Sequence, residues 1–269
     1  MLTIAILSDV HANLPAFNSV LADIDARKVD QIFCLGDLVD FAPWPNEVIE
    51  LIRQQRIPTL MGNHDERIAF DQPLIPLPKH TYQETQARTA AINYTRQAIT
   101  ESNKAFLASL PRQIQLSFSF ADTPITLLLV HASTRTNDEY IYQSHDQDDL
   151  LAMMNQQNAD VLIMGHTHMS YIRPLSNKLN SAEKILPPIA INCGSVGRSK
   201  EADALATYLL LTVSGEQVAF GPDSITYELI KVNYSIEQTV AGIHNSSIPD
   251  FYAEFLQRNS DYSPSDTQK

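Results

Sequence analysis

Five short polar groups, each following an apolar run, contain the residue types that bind metal ions. Two histidines stand two positions apart in Gly165-His166-Thr167-His168, directly after the apolar run from Val161 to Met164. A run of this length predicts a buried strand. The two imidazoles that follow its end could then lie on either side of one shared point. The other groups follow similar runs; they are Ser8-Asp9-Val10-His11, Gly36-Asp37, Gly62-Asn63-His64-Asp65 and His131-Ala132-Ser133.

This combination of side chains favours divalent transition metals. Imidazoles and carboxylates without thiolates suit Mn, Fe, Zn, Co or Ni, whereas calcium prefers a site made only of oxygen ligands. The ligands are numerous enough for two ions. Two ions about 3.5–4 Å apart can share a hydroxide and hold a phosphoryl group during in-line attack. The expected chemistry is therefore metal-assisted hydrolysis of a phosphoester.

The segments around these groups predict the strands and helices that position them. Leu2 to Leu7, Gln31 to Leu35 and Ile57 to Met61 have the length and apolar content of buried strands, and amphipathic helices are predicted after the first two. Three such units predict a parallel sheet covered by helices. Open sheets of this kind bind ligands at the carboxyl ends of their strands, where the polar groups would meet.

The positions of the histidines and glycines support one shared site. Five of the eight histidines follow apolar runs; the other three, which we expect to be structural, are His80, His145 and His244. A glycine lets the chain turn sharply toward an ion, because it has no Cβ atom. Glycines directly before proposed ligands are Gly36, Gly62 and Gly165.

The remaining segments predict an insert and a second group of strands. Residues 71–110 are polar and proline-rich at the start, and we expect one or two helices that form a cap and select the substrate. A β-hairpin is predicted from Ile114 to Val130, with its turn at Asp122-Thr123-Pro124, and a helix around Asp148 to Gln157. Further strands are predicted at Tyr171 to Pro174, Ile189 to Asn192, Thr207 to Thr212, Gln217 to Phe220 and Ser224 to Ile230. We expect a helical segment from about Ile236, one domain over residues 1–258 and a flexible tail at 259–269.

Composition limits the partners that this chain can have. Its 269 residues carry a net charge of −12, which opposes binding of extended nucleic acid because such binding needs a basic surface. No run reaches the roughly 18 apolar residues of a membrane span, and the N-terminus lacks the features of a signal peptide, so we expect a cytoplasmic protein. Cys34 and Cys193 are expected to be small buried side chains. Nothing in the sequence indicates an oligomeric state.

In this order, the motifs Asp-x-His, Gly-Asp, Gly-Asn-His-Asp, His-Ala-Ser and Gly-His-Thr-His resemble those of the calcineurin-like metallophosphoesterases. The stretches Gly36-Asp37-Leu38-Val39, Pro45-Asn46-Glu47 and Asn192 to Gly197 are similar to the small bacterial phosphodiesterase branch. The resemblance runs from residue 2 to roughly residue 213. It implies an α/β fold, a four-layer α/β/β/α sandwich of the metallophosphoesterase type, with a dinuclear metal centre and, here, a helical insert.

Carried over motif by motif, the resemblance implies a role for each polar group. Asp9, His11 and His168 would hold the first metal, and Asn63, His131 and His166 the second. Asp37 would bridge both ions, for which Mn or Fe is favoured. His64 would contact the scissile phosphate, either protonating the leaving oxygen or stabilising charge, and Asp65 would orient His64.

Two positions depart from the branch pattern, and two others have alternative interpretations. Asp40 stands where a glycine often occurs and is expected to face solvent, with tuning of the charge at the metal-binding edge as the alternative. Cys193 stands where proline is common. The stretch Gly194 to Arg198 is interpreted as a structural turn, with a phosphate-contacting loop as the alternative. Trp44 is interpreted as a packing residue, with stacking on a nucleobase as the alternative.

Three functions remain open at the level of the sequence. The leading hypothesis is hydrolysis of small phosphodiesters or phosphomonoesters through a dinuclear metal-bound hydroxide. An alternative is hydrolysis of dinucleoside polyphosphates, because the insert is long enough to enclose a nucleotide-sized pocket. A third is a catalytically silent metal-binding sensor, since a fold does not guarantee activity. The intact His64-Asp65 pair speaks against the sensor.

Overall fold

A computed structural model describes residues 1–76, 81–120, 123–176, 187–214 and 224–260. The strands in these ranges are β1 (Leu2–Leu7), β2 (Gln31–Cys34), β3 (Gln113–Phe120), β4 (Thr123–Val130), β5 (Val161–Met164), β6 (Tyr171–Pro174), β7 (Ile189–Asn192), β8 (Ala206–Val213) and β9 (Ile225–Val232). The helices are α1 (Leu14–Ala26), α2 (Pro45–Gln54), α3 (Asn63–Ala69), α4 (Tyr82–Ala98), α5 (Glu101–Ala108), α6 (Gln147–Gln156), α7 (Ile236–His244) and α8 (Phe251–Ser260).

The strands form two mixed sheets. The first has the order β2-β1-β8-β9, in which β1 is parallel to β2 and antiparallel to β8. The second has the order β3-β4-β5-β7-β6, with β4, β5 and β7 parallel and the two edge strands antiparallel to their neighbours. The carboxyl ends of β1, β4 and β5 carry the polar groups of the predicted site.

Alternating side chains of the strands hold the layers together. In β1, Ile4 and Ile6 pack against the second sheet, while Ala5 and Leu7 lie in the cluster formed with α1 and α2. This follows from the two-residue period of a strand. On the far side, Leu128 and other residues of the second sheet pack against α6. The layers are therefore helices, sheet, sheet and helix, which confirms the predicted α/β/β/α sandwich.

The predicted third strand is wrong. Within Ile57 to Met61, the structure has only an isolated parallel bridge, between Cys34 and Thr59. Pro58 has no N–H group to donate, and Met61 N donates out of the sheet to Pro111 O at 2.8 Å, so the ladder cannot extend. The segment nevertheless delivers Gly62 and the residues after it to the same edge as β1 and β2.

The other predicted elements occur with small changes in their limits. The predicted hairpin is β3 and β4, with Ile114 opposite Leu129, and its turn lies partly outside the described residues. The predicted strand from Gln217 to Phe220 lies wholly outside them. The helix α8 continues to Ser260, two residues into the predicted tail, and residues 261–269 are outside the described ranges. The single-domain boundary stays a prediction.

Residues 71–110 contain the two helices α4 and α5. The side chains of Thr81 and Glu84 cap the start of α4, where Glu84 accepts a hydrogen bond from Thr81 N at 2.7 Å. Ala87 and Ala91 of α4 pack with Tyr252 of α8 in one apolar cluster. In the described ranges, every helix is too short or too polar to cross a membrane.

Candidate metal centre

The predicted ligands lie on loops with unusual backbone geometry. Left-handed conformations with φ between 49° and 64° occur at Asp9, His11, Asp37, His166 and His168. Residues other than glycine rarely adopt this region, and such strain concentrates at functional sites. Hydrogen bonds between the loops stabilise these backbone conformations: Asp9 N donates to Gly36 O, and His11 N donates to Asp37 O, both at 2.9 Å.

Two glycines allow these loops to approach each other closely. A Cβ atom on Gly62 would lie 2.1 Å from Asp37 Oδ1, and one on Gly165 would lie 2.6 Å from Asp9 Oδ2. Neither position has room for a side chain. The structure therefore explains why glycine precedes these ligands.

The first ligand group consists of Asp9, His11 and His168. Their ligand atoms lie within 4.8 Å of one another. His11 Nδ1 donates to Val39 O at 3.0 Å and His168 Nδ1 donates to Arg198 O at 2.6 Å, because a carbonyl oxygen can only accept. The Nε2 atoms, which face each other at 3.1 Å, then both present lone pairs. A cation between them satisfies both nitrogens, so this group fits a metal ion.

The second group consists of Asp37, His131 and His166, again with ligand atoms within 4.8 Å. His131 Nδ1 donates to Leu35 O at 3.0 Å, which leaves Nε2 for a ligand. Asn63 Oδ1 lies 3.2 Å from that Nε2 atom, so the amide oxygen predicted as a ligand lies beside this group. The buried His166 Nε2 has no hydrogen-bond partner among the described residues, as expected for an atom that binds a metal.

Asp37 lies between the two groups. Its Oδ2 atom is 3.7 Å from His11 Nε2 and 3.5 Å from His131 Nε2. Its Oδ1 atom accepts a hydrogen bond from His64 N at 2.8 Å. One carboxylate thus contacts both ligand groups, which is the position that a bridging ligand requires.

The electrostatics of the site favour the protonation states of metal ligands at His11, His168 and Asp37, and His131 is the exception. Burial lowers the pKa of His11 to about 3 and that of His168 to about 4, so both imidazoles are neutral. Burial opposes ionisation of Asp37, but the charges of His131 and His64 hold its pKa well below the usual value. Against burial, Asp37 raises the pKa of His131 to about 9. A cation beside His131 would take the place of that proton.

Asp40, not Asp65, contacts the ring of His64. His64 Nδ1 is 2.6 Å from Asp40 Oδ2, and Asp40 is fully buried. The expectation that Asp40 faces solvent is therefore wrong. The carboxylate of Asp65 instead accepts from Asp37 N at 2.7 Å, Leu38 N at 2.8 Å and Gly62 N at 3.0 Å. It braces the loop of Asp37, which corrects the role expected for Asp65.

Comparison with known proteins places the chain in a family. The family model of the calcineurin-like phosphoesterase superfamily domain matches residues 2–216. The chain belongs to this superfamily. Family membership and the two ligand groups together indicate divalent metal ions at the site.

Similar proteins are found in archaea and bacteria. "Uncharacterized protein MJ0912" of Methanocaldococcus jannaschii is 29% identical over 260 residues, which cover 94% of this chain and 96% of that protein. The crystal structure of a metallophosphoesterase from Sphaerobacter thermophilus has 27% identity and a TM-score of 0.69, covering 96% of this chain and 99% of the other. Hypothetical protein PH1004 from Pyrococcus horikoshii OT3 shares the fold, with a TM-score of 0.73, 19% identity and coverage of 95% and 98%.

A cavity of about 640 Å³ opens beside the two ligand groups. Asp37, Asn63, His64, His166 and His168 line one side of it. The rest of the cavity wall contains residues that the sequence motifs did not assign to a site; they include Phe41, Arg67, Arg88, Tyr140, Tyr252 and Phe255. Arg198, from the stretch with the alternative phosphate-contacting role, also lies there. Their spacing in the sequence gives no common signal, because they come from α3, α4, α8 and separate loops.

Contacts of the described residues bear on the remaining sequence interpretations. Ser195 Oγ donates to Asp9 O at 2.8 Å and Gly197 N donates to the same oxygen at 2.9 Å, so these two residues have the predicted structural role, whereas Arg198 of the same stretch lines the cavity. Trp44 packs against Gly242 of α7, as expected for a packing residue. His145 and His244 bind Asp149 and Asp250 away from the metal centre, and His80 lies outside the described residues.

Proposed function

We propose that the protein is a metal-dependent hydrolase of small phosphodiesters or phosphomonoesters. The observation that carries this proposal is the position of Asp37, whose carboxylate contacts both ligand groups at the floor of the cavity. A cavity of about 640 Å³ is of the size that small-molecule sites have. The net charge of −12 argues against a long polynucleotide as substrate.

The residues present fit two ions. Asp9, His11 and His168 would hold one, Asn63, His131 and His166 the other, and Asp37 both. Divalent ions bound there would supply a nucleophile at neutral pH. Their positive charge would stabilise the negative charge on the reacting phosphoryl group.

His64 would act directly on the substrate. Its Nδ1 atom is engaged with Asp40, so Nε2 is the ring nitrogen that remains for the cavity. From Nε2, His64 would donate a proton or a hydrogen bond to the leaving-group oxygen. The Asp40 carboxyl group would hold the ring in that orientation, and above its pKa of about 7 its ionised form would stabilise protonated His64.

A nucleotide substrate is the second candidate. Tyr140 lies beside His166, with ring centroids 4.3 Å apart, and stacks on Tyr142 at 5.8 Å. Aromatic faces next to the reacting centre suit a nucleobase. Dinucleoside polyphosphates and mononucleotides are therefore among the substrates to be tested.

The decisive experiment combines metal analysis with activity measurements. The metal-free protein is reconstituted separately with Mn, Fe, Zn, Co and Ni, and hydrolysis is followed for bis(4-nitrophenyl) phosphate, 4-nitrophenyl phosphate, alkyl esters and nucleotides. We expect two ions per chain and turnover with at least one metal. A chain that binds two ions and hydrolyses no ester would be a metal-binding sensor, contrary to the proposal.

The His64→Ala variant separates metal binding from chemistry. We expect it to keep both ions and to lose about 10²-fold or more in kcat on esters with poor leaving groups, the scale of a positioned acid or charge stabiliser. Full turnover on such esters would remove His64 from the mechanism. Activated nitrophenyl esters are the internal control, because their leaving groups need little protonation.

A further inference from the structure

We infer that Arg67 and Arg88 form a second anion subsite in the cavity, so that the natural substrate carries another phosphate or a carboxylate beside the reacting phosphoester. The inference deepens the proposed function and rests on it, because the scissile group is assigned to the metal centre.

Arg67 is a buried cation without a full set of partners. It is 8% exposed and lines the cavity, and its Nη1 atom has no hydrogen-bond partner among the described residues. A buried guanidinium nitrogen that binds nothing is costly, so native structures rarely keep one without a reason. A ligand anion in the cavity would supply the missing acceptor.

Arg88 reaches the same cavity from a different element. It belongs to α4, is 8% exposed, and donates from Nη1 to Ile75 O at 3.1 Å. Burial lowers its pKa, and the nearby positive charge of Arg67 lowers it further. Two like charges from α3 and α4 thus converge on one space. An anion bound between them would relieve their repulsion.

The acidic groups near these arginines do not replace such an anion. Within the described residues, neither arginine forms an ion pair with a carboxylate at salt-bridge distance. Asp40 is the buried carboxyl that feels both charges, yet burial outweighs them and raises its pKa to about 7. Its Oδ2 atom is already engaged with His64. Glu84 and Asp138 also line the cavity, and Glu84 caps α4 through Thr81 N.

The wall beside the two arginines contains a third guanidinium. The ring of Phe41 and that of Phe255 each lie 4.5 Å from the Arg198 guanidinium carbon. A guanidinium held between ring faces keeps its N–H groups in the plane, where they can donate to an anion. The buried Arg198 Nε atom has no hydrogen-bond partner among the described residues.

The position of Arg67 limits how far the second anionic group lies from the first. Arg67 follows Asn63 by four residues on α3, so the two side chains lie on the same helix face, slightly more than one turn or ~6 Å apart along the axis. The second group is therefore joined to the reacting phosphate by a short linker. The substrate class is a compact phosphoester with a second phosphate or carboxylate.

A matched series of substrates tests the subsite. The series consists of 4-nitrophenyl phosphodiesters of propanol, 3-hydroxypropionate and 3-hydroxypropyl phosphate, and release of nitrophenolate is followed. We expect kcat/KM of the metal-loaded protein to be about tenfold or more higher for an anionic tail than for the neutral tail. The comparison of the two anionic tails tells whether the subsite takes phosphate or carboxylate.

The variants Arg67→Gln and Arg88→Gln should each bring this ratio close to one. The exposed Arg27→Gln is the matched control, because Arg27 pairs with Asp23 on α1 and does not line the cavity; its ratio should equal that of the unaltered protein. The two variants lie on different elements, so a folding defect in one leaves the other as a test. An anionic preference that survives both substitutions would overturn the inference.

A binding measurement distinguishes failure of the subsite from failure of the proposed function. Titration calorimetry compares propylphosphonate with propane-1,3-diphosphonate on the metal-loaded protein. We expect about tenfold tighter binding of the diphosphonate, and loss of this difference in Arg67→Gln. Equal binding of both ligands would refute the subsite even where esters are hydrolysed. Tighter diphosphonate binding without turnover of any ester would refute the proposed hydrolase and leave the subsite standing.

Discussion

The two sides of the cavity are formed by different secondary-structure elements and different types of side chain. On the metal side, ligands come from loops at strand ends, and five of them have left-handed backbone conformations. Buried aspartates and histidines lie against one another there. On the wall side, helices α3, α4 and α8 contribute arginine and aromatic side chains. The metal side positions its ligand atoms through the backbone conformation of its loops. The wall side instead lines the cavity with long side chains.

This difference assigns different tasks to the two sides. Metal ligands must be held within fractions of an ångström, and a backbone without room for a Cβ atom at Gly62 or Gly165 achieves this. Substrate groups tolerate more variation, and a helix face changes its chemistry by exchange of single side chains. We therefore expect substitutions on the metal side to abolish the chemistry and substitutions on the wall to change selectivity.

The largest effect is expected for Asp37→Ala, the most direct attempt to break the metal side. Because Asp37 contacts both ligand groups, both ions should be lost together and turnover should fall by about 10³-fold or more. The measurement is elemental analysis of the purified variant beside its activity. His168→Ala is the matched control and should mainly deplete one ion. Two metals retained in Asp37→Ala would contradict the bridging assignment.

An intermediate effect is expected for Asp40→Asn, at the boundary between the two sides. Asparagine tolerates the positive φ of 72° at this position, so the backbone should be preserved. The amide can still bond to His64 Nδ1 but cannot stabilise a charged imidazole. We expect kcat to fall about tenfold with the metal content unchanged. Normal kcat on a poor leaving group would show that the contact is only structural.

The smallest effect is expected for Phe255→Ala, which removes one ring from the stack on Arg198. Such a cation–π contact contributes about 0.5–1 kcal/mol, so KM should rise by about two- to fivefold and kcat should change less. Steady-state kinetics on the preferred ester measure both constants. Loss of a metal ion, or a tenfold fall in kcat, would mean that the wall and the metal side are not separable.

The metal side was predictable because its residues follow a local rule. Each predicted ligand comes directly after an apolar run, and the structure brings all seven together. The layered fold follows from the same runs. Their role as ligands stays a prediction until an ion is measured.

The wall side was not predictable because no local rule connects its residues. Arg67 lies in a helix and Arg88 in a polar insert, and arginines in such positions are commonly exposed at the surface. The packing of α4 on α3 and on α8 brings such residues to one cavity. The burial of Asp40 was not predictable for a related reason. A single carboxylate after Gly-Asp-Leu-Val gives no local sign of burial, and its contact with His64 joins residues 24 positions apart in the sequence. Pro58 similarly ended a strand that apolar content alone had predicted.

The family model matches the chain only up to residue 216, before β9, α7 and α8. Yet β9 pairs with β8 along its whole length, from Ala206 to Val213, and α8 carries Tyr252 and Phe255 to the cavity. A chain that stopped at that limit would expose β8 as an open apolar edge, the kind of edge that recruits strands from other molecules. Protection from self-association and the shape of the substrate pocket thus depend on the same C-terminal residues, so the unit of folding is longer than the segment that the family model matches.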